Sequence, residues 1–200
     1  MPDVRVCLLL AVLFMSAPIV AEQVFTDDLG NQVHLSAAPQ RIVSLTPHIT
    51  ELLYAAGAGE RLVAAVDYSD YPEAARQLPR IGNAERIDYE RLLQLQPDLI
   101  IAWGSGTPAR ELAALGRLGI PLFLSEPRRL EAIGTQLREF GAMTDSAAQA
   151  EVSAQDYERR LAALRARYAT NSPQRVFYQL AQQPLLTINR EHLIDDVIAL

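Results

Sequence analysis

Hydrophobic and polar residues follow a helical period most clearly in residues 145–169. Apolar or aromatic side chains recur there every three or four positions, at Ala147, Ala150, Ala154, Tyr157, Leu161, Leu164 and Tyr168. This spacing lays one apolar stripe along an α-helix. Ser146 and Gln149 have the spacing of a capping box at its start, and Pro173 ends the pattern. We predict a single long helix that forms the spine between two lobes; an ordinary surface helix of one domain is the alternative.

Before this helix, short apolar runs alternate with helical patterns. The apolar runs are residues 41–45, 61–66, 99–103 and 121–124, and a hairpin pattern precedes them at 24–35. Strands of about five residues that alternate with helices of ten or more are typical of a parallel sheet covered on both faces. The sequence therefore predicts an α/β fold, with a Rossmann-like N-terminal lobe at 22–144 that contains this sheet, followed by the spine helix at 145–169.

Residues 170–200 have the pattern of one further strand, at 175–180, and one further helix, at 191–200. One strand and part of a helix bury too little apolar surface to form a lobe of their own. These residues either join the sheet of the first lobe or begin a second α/β lobe of which the rest is absent. We expect the second arrangement, a chain truncated in its C-terminal lobe.

The first 21 residues have the pattern of a secretory signal peptide. Arg5 precedes an apolar run at residues 6–15, and small residues follow up to Ala21. This order predicts cleavage near Ala21 and export to the periplasm. Cys7, the single cysteine of the chain, lies inside this segment. The mature protein is then expected to have no disulfide and no cysteine metal site.

Charge and motifs narrow the classes of function. The net charge of −6 argues against nucleic acid and anionic membranes as partners. The chain contains no dinucleotide-binding glycine motif, no P-loop and no G-x-S-x-G elbow. Two classes of function stay open at this point. One is an exported α/β hydrolase that uses Ser44 or the 67–70 loop, and the other is a metal receptor that uses His48 and Asp70.

Three aromatic residues are expected at one edge of the predicted sheet. Tyr68 and Tyr71 follow the second apolar run, and Trp103 ends the third. The carboxyl ends of parallel strands meet at the edge where open α/β sheets bind ligands, and aromatic faces suit a broad, flat, partly apolar ligand. Each of these residues could instead belong to the core. His48 lies at the same edge, on the first turn of a predicted helix.

Three stretches resemble the cobalamin-binding periplasmic proteins of ABC importers. They are Arg-Ile-Val-Ser-Leu-Thr-Pro-His-Ile-Thr-Glu-Leu-Leu-Tyr-Ala-Ala-Gly at 41–57, Tyr-Ser-Asp-Tyr-Pro at 68–72 and Glu-Arg-Leu-Leu-Gln-Leu-Gln-Pro-Asp-Leu-Ile-Ile-Ala-Trp at 90–103. The residues from 97 to 103 recur across the wider group that binds iron–siderophores, haem and cobalamin. The 68–72 string with a tryptophan closing the later strand is more specific to the cobalamin branch. The resemblance implies two lobes joined by one long helix, with the ligand between them.

The resemblance also implies roles for particular residues. Tyr68 and Trp103 would line the cobalamin cleft, and Leu186 would offer apolar contact where the family has a second-lobe aromatic residue. Glu90 matches an acidic residue that docks on arginines of the permease; a glutamate that only stabilises the helix dipole is the alternative. At residues 82–84 this sequence has Gly-Asn-Ala where the family has another tryptophan.

Taken with the resemblance, the sequence predicts a monomeric periplasmic solute-binding protein that delivers a corrinoid, cobalamin, to the permease subunits of an ABC transporter. A ferric siderophore or haem is the alternative ligand within the same family. The resemblance implies no catalytic residue, no metal ligand and no resident cofactor. A continuous helix between the lobes would allow only a small rocking motion on ligand release.

Overall fold

The computed structural model describes residues 22–83 and 86–200, so the predicted signal peptide lies outside the described residues. The strands are β1 (Gln23–Thr26), β2 (Gln32–Leu35), β3 (Ile42–Ser44), β4 (Leu62–Ala65), β5 (Gly82–Asn83), β6 (Arg86–Ile87), β7 (Leu99–Trp103) and β8 (Leu122–Ser125). The helices are α1 (Pro47–Ala55), α2 (Tyr89–Gln94), α3 (Ala109–Gly116), α4 (Leu130–Met143), α5 (Ala147–Tyr168) and α6 (Leu193–Ile198). No helix in this part of the chain is long and apolar enough to cross a membrane.

The four predicted apolar runs form one parallel sheet in the order β4-β3-β7-β8. Side chains of the central strands alternate between two buried clusters. Ile42 and Ile101 pack in the cluster that includes α1, α4 and α5, whereas Val43 and Ile100 pack in the cluster that includes α2 and α3. Burial on both faces explains why these strands are almost continuously apolar. The predicted α/β fold with a doubly covered parallel sheet is confirmed.

The predicted spine helix is α5, which starts two residues later and ends one residue earlier than the pattern suggested. With 22 residues it is about 33 Å long. Its apolar stripe is buried against α4 and α1 only as far as Leu161, and the residues after it are exposed. Arg138 of α4 pairs with Glu151 at 2.7 Å and with Glu158 at 2.5 Å, which joins the two helices along their length.

The predicted capping box at the start of the spine helix is wrong. Ser146 is the N-cap residue, but its side chain makes no hydrogen bond to the helix backbone. Its hydroxyl instead lies 2.8 Å from the hydroxyl of Thr144, at the end of α4. The serine therefore joins the connection between the two helices, because a hydroxyl at a tight turn has several polar groups within reach.

The predicted strand at residues 175–180 is absent from the structure, and so is any pairing of residues 170–200 with the parallel sheet. The side chains of Val176 and Phe177 are exposed. The segment contains a turn in which Ala181 and Leu186 form an isolated bridge, and α6, which packs on α4. A strand pattern alone does not make a strand, because its backbone needs a neighbouring strand to pair with. The division of the chain into lobes at 22–144 and 170–200 stays a prediction.

Candidate ligand-binding site

A cavity of about 190 Å³ lies at the carboxyl edge of the parallel sheet. His48, on the first turn of α1, and Trp103, at the end of β7, form part of its wall, and Glu126 follows β8. The opposite wall comes from residues 191–194, at the start of α6, and we call these four residues the C-terminal wall. A concave, mostly apolar space with a few polar groups is the usual form of a small-molecule site.

Trp103 is the central side chain of this cavity. Its indole meets the ring of His48 edge-on, with centroids 5.5 Å apart at 88°, and the ring of His192 at 6.5 Å and 70°. The loop after β7 turns directly beneath the indole, where a Cβ atom on Gly106 would overlap the six-membered ring. The indole is therefore held between two imidazoles and a glycine turn, which presents an aromatic surface to the cavity.

The imidazole of His48 is neutral at physiological pH. Burial lowers its pKa to about 4, and the nearby Glu126 carboxylate opposes that shift only in part. Within residues 22–83 and 86–200 its Nε2 atom is buried and has no hydrogen-bond partner. A neutral ring beside the indole enlarges the aromatic wall and leaves one ring nitrogen that could bond a ligand after a small movement.

Glu126 shapes the loop that carries Trp103. Its carboxylate accepts a hydrogen bond from the Ser105 amide at 2.7 Å and another from the Ser105 hydroxyl at 2.9 Å. Its own amide donates to Asp28 at 2.5 Å. These bonds connect β8, the loop after β7 and the N-terminal hairpin. The strand-end rule that identifies Trp103 also applies to Glu126, so the sequence carries a signal for this residue as well.

Tyr68 lies in a neighbouring loop at the same edge and does not line the cavity. Its side chain is 81% exposed, and its backbone has a positive φ of 66°. Arg80 holds this loop by donating to the carbonyls of Val66 at 3.2 Å and Ser69 at 2.9 Å. The arrangement presents Tyr68 to solvent from an anchored loop, so it is available to a ligand that extends beyond the cavity.

The other two predicted site residues lie apart from the cavity lining. Leu186 is exposed in the turn that it forms with Ala181. The Leu186 amide donates a hydrogen bond of 3.0 Å to the Ala181 carbonyl. Glu90 is exposed on the first turn of α2, where Asp88 caps the helix by accepting from the Arg91 amide. The roles of Leu186 and Glu90 stay predictions.

Ser44 and Asp70, which the two alternative functions would use, are engaged in contacts within the protein. Ser44 is fully buried, and its hydroxyl donates to the Thr46 carbonyl and accepts from Thr50. Asp70 lies 3.4 Å from Arg80 in an ion pair. No group of three or more potential metal ligands occurs among the described residues. The structure therefore does not present Ser44 as a nucleophile, and it ties Asp70 to the anchored loop of Tyr68.

A half-buried carboxyl on α4, that of Glu139, adds a pH-dependent contribution to stability. Burial and the nearby Asp28 carboxylate raise the pKa of Glu139 to about 7. In the unfolded chain a glutamate has a pKa of about 4.3. Between these values the folded state holds the proton more tightly, so stability decreases as pH rises from about 4 to about 7 and then levels off.

We expect Glu139→Gln to remove this decrease. At pH 8 the variant should have a free energy of unfolding about 1–2 kcal/mol above that of the parent, after allowance for solvent screening, and the two should converge near pH 4. Urea unfolding at a series of pH values measures this difference. Glu51→Gln, at an exposed position on α1, is the control that should keep the parent profile. If the free energy of unfolding of Glu139→Gln decreased with pH as steeply as that of the parent, the pH dependence would belong to other groups.

The chain belongs to the periplasmic binding protein family, whose profile matches residues 42–200. It is 42% identical over 161 residues to the vitamin B12-binding protein of Vibrio cholerae, and the match covers 80% of this chain and 58% of that protein. The chain thus spans a little over half the length of this curated relative.

Solved structures agree with this assignment. The crystal structure of the periplasmic vitamin B12-binding protein BtuF of Vibrio cholerae matches with a TM-score of 0.74 and 42% identity, over 80% of this chain and 63% of that chain. The periplasmic haem-binding protein RhuT from Roseiflexus sp. RS-1 matches with a TM-score of 0.68 and 33% identity, over the same shares of the two chains.

Proposed function

We propose that this protein is a periplasmic solute-binding protein that captures a corrinoid, cobalamin, and delivers it to the permease of an ABC importer. The observation that carries the proposal is the aromatic cavity around Trp103 at the carboxyl edge of the sheet. The relatives named for vitamin B12 binding support this ligand class. The protein would perform no covalent chemistry, would act as a monomer, and would be exported with a signal cleaved near Ala21.

The dimensions of the cavity bear on how a corrinoid would be held. A volume of about 190 Å³ is below the range of about 300–1,000 Å³ that is usual for small-molecule sites. A ligand as broad as a corrin ring therefore requires the C-terminal wall to move outward. Trp103 would then contact one part of the ligand, and Tyr68, on the same edge, could contact another.

Calorimetric titration of the purified protein with cyanocobalamin, haemin and a ferric siderophore tests the ligand. We expect saturable binding of cyanocobalamin that is tighter than binding of either iron compound. Haem is the second candidate, because a haem-binding protein is among the structural relatives at 33% identity. Tight binding of haemin without binding of cyanocobalamin would replace the corrinoid by haem and leave the class of protein unchanged.

Glu90 is the residue that we assign to permease docking. Its carboxylate is exposed on α2 and accepts only a hydrogen bond of 3.3 Å from Gln94 among the contacts of the described chain, so it is accessible to a basic surface. We expect Glu90→Arg to leave cyanocobalamin affinity in solution unchanged and to reduce uptake by reconstituted transporter, because like charges would then meet at the interface.

The control for Glu90→Arg is Glu60→Arg, which makes the same charge change at another exposed position. Affinity should be measured by calorimetry and uptake with radiolabelled cobalamin in proteoliposomes that contain the permease. Equal uptake by both variants would remove Glu90 from the docking surface. Loss of affinity in solution would show that Glu90 acts on ligand binding instead.

A further inference from the structure

The first turn of α4 is capped by a residue from α6. Arg129 is the N-cap residue of α4, and its own side chain provides no capping hydrogen bond. The amide of Leu130 instead donates to the carboxylate of Asp196 at 2.8 Å, and Arg129 pairs with the same carboxylate at 3.1 Å. A carboxylate at this position satisfies a free amide and interacts favourably with the helix dipole. We call these two contacts of Asp196 the latch.

The latch acts on the C-terminal wall because both belong to the α6 region. His192 is the N-cap residue of α6, and its Nδ1 atom accepts from the Ile194 amide at 3.1 Å. Its ring lies edge-on to that of Trp103, with the centroids 6.5 Å apart. Asp196 therefore lies one helical turn after His192, and it attaches the helix that carries the C-terminal wall.

Arg128 provides a second, longer polar connection between the C-terminal wall and the loop after β8. Arg128 lies 3.8 Å from Glu126 and 3.8 Å from Glu191, distances that allow attraction but no short hydrogen bond. The outer residue Val197 of α6 is half exposed, whereas the side chain of Asp196 is only 11% exposed. At 2.8 and 3.1 Å, the contacts of the latch are thus shorter than those of Arg128.

We propose that Asp196 is a positioning residue that holds the C-terminal wall closed over the ligand cavity, and that release of the latch opens the cavity to ligand. The side chain of Asp196 acts through α6 and His192 and does not itself line the cavity. This inference goes beyond the proposed function, because the latch is a contact within the ligand-free chain. The proposal is therefore the same whether the ligand is a corrinoid or haem. Loss of one cap and its ion pair should raise the open population about five- to tenfold.

The fluorescence of Trp103 can report whether the latch is closed. Trp103 is the only tryptophan in the chain, and it lies between His48 and His192, so its fluorescence reports on the wall without any ligand. In Asp196→Ala we expect quenching by acrylamide to become about twofold more efficient than in the parent. Asp195→Ala is the matched control, since it removes the neighbouring carboxylate of the same helix and leaves the latch intact.

A second variant keeps the test valid if Asp196→Ala is unstable. Arg129→Ala removes the ion pair from the other side of the latch at an exposed position, and circular dichroism establishes that each variant is folded. Increased quenching in Asp196→Ala, or in Arg129→Ala where Asp196→Ala does not fold, supports the latch if Asp195→Ala stays like the parent. Parent-like quenching in a folded Asp196→Ala, or in Arg129→Ala where Asp196→Ala does not fold, overturns it.

Ligand kinetics separate the latch from the identity of the ligand. With cyanocobalamin in stopped-flow fluorescence, Asp196→Ala should speed both association and dissociation, because a closed wall slows entry and exit alike. If cyanocobalamin does not bind the parent, the corrinoid proposal fails while the quenching result still tests the latch. If it binds and both rates stay at the parent values, the wall does not gate the site and the latch proposal fails.

Discussion

We expect Trp103→Ala to lower the affinity for cyanocobalamin by about 1–3 kcal/mol and to leave the protein folded. The indole forms the aromatic surface of the cavity through its contacts with His48 and His192, and no other tryptophan can replace it. Its position at the end of β7, partly exposed, means that its removal takes little from the two buried clusters of the core. Calorimetry gives the affinity, and thermal unfolding gives the stability.

Tyr68→Ala should have an effect of similar size on affinity, about 1–3 kcal/mol, if the ligand extends from the cavity to the neighbouring loop. Tyr168→Ala is the control, because it removes a partly exposed aromatic residue from the far end of α5. Equal affinity in the parent and in Trp103→Ala would remove Trp103 from the site. An effect of Trp103→Ala without an effect of Tyr68→Ala would confine the ligand to the cavity.

The second large effect is expected for Gly106→Ala, which leaves Trp103 in the chain but displaces its ring. A methyl group at position 106 would overlap the indole, and the indole cannot yield without losing its contact with His48 or His192. We expect affinity to decrease by about 1–3 kcal/mol, as when the ring is removed, because the aromatic surface would no longer face the ligand. A shift in the tryptophan emission maximum should accompany this loss.

Gly116→Ala is the matched control for Gly106→Ala. Gly116 is the last residue of α3, and a Cβ atom there would meet nothing within 4 Å. Alanine favours the helical conformation over glycine by about 0.5–1 kcal/mol, so this variant should be slightly more stable and should bind as the parent does. If Gly106→Ala also bound like the parent, the indole would have room to move and the glycine turn would not be required for the site.

Much of the fold could be predicted because its signals are local. The five apolar residues 99–103 became β7, and the helical stripe at 145–169 became α5, since burial on two faces or on one stripe leaves a clear pattern in the sequence. The rule that ligands bind at the carboxyl ends of parallel strands places Trp103 and His48 at the same edge of the sheet from the sequence alone. Both residues line the cavity.

The prediction failed where an element depends on a distant partner. Residues 175–180 carry a strand pattern, yet they form no strand, because no strand of the described chain lies beside them. The Leu180 amide donates to the Leu186 carbonyl, but this single backbone bond does not make a ladder. The hydroxyl of Ser146 bonds Thr144 instead of the helix amides, a choice between nearby partners that spacing alone does not determine. Tyr68, on the expected edge, is exposed on its loop and lies outside the cavity lining.

The sequence by itself determined the parallel sheet, the long helix, the aromatic edge and, through its resemblance to known proteins, the class of binding protein. Only the tertiary structure determined what stands opposite Trp103. His192 reaches Trp103 from about ninety positions further along the chain, and Asp196 attaches the same helix to α4. No periodicity or motif encodes these two contacts. Local patterns report which residues are buried, whereas the closing of a cavity depends on how separate elements pack against each other.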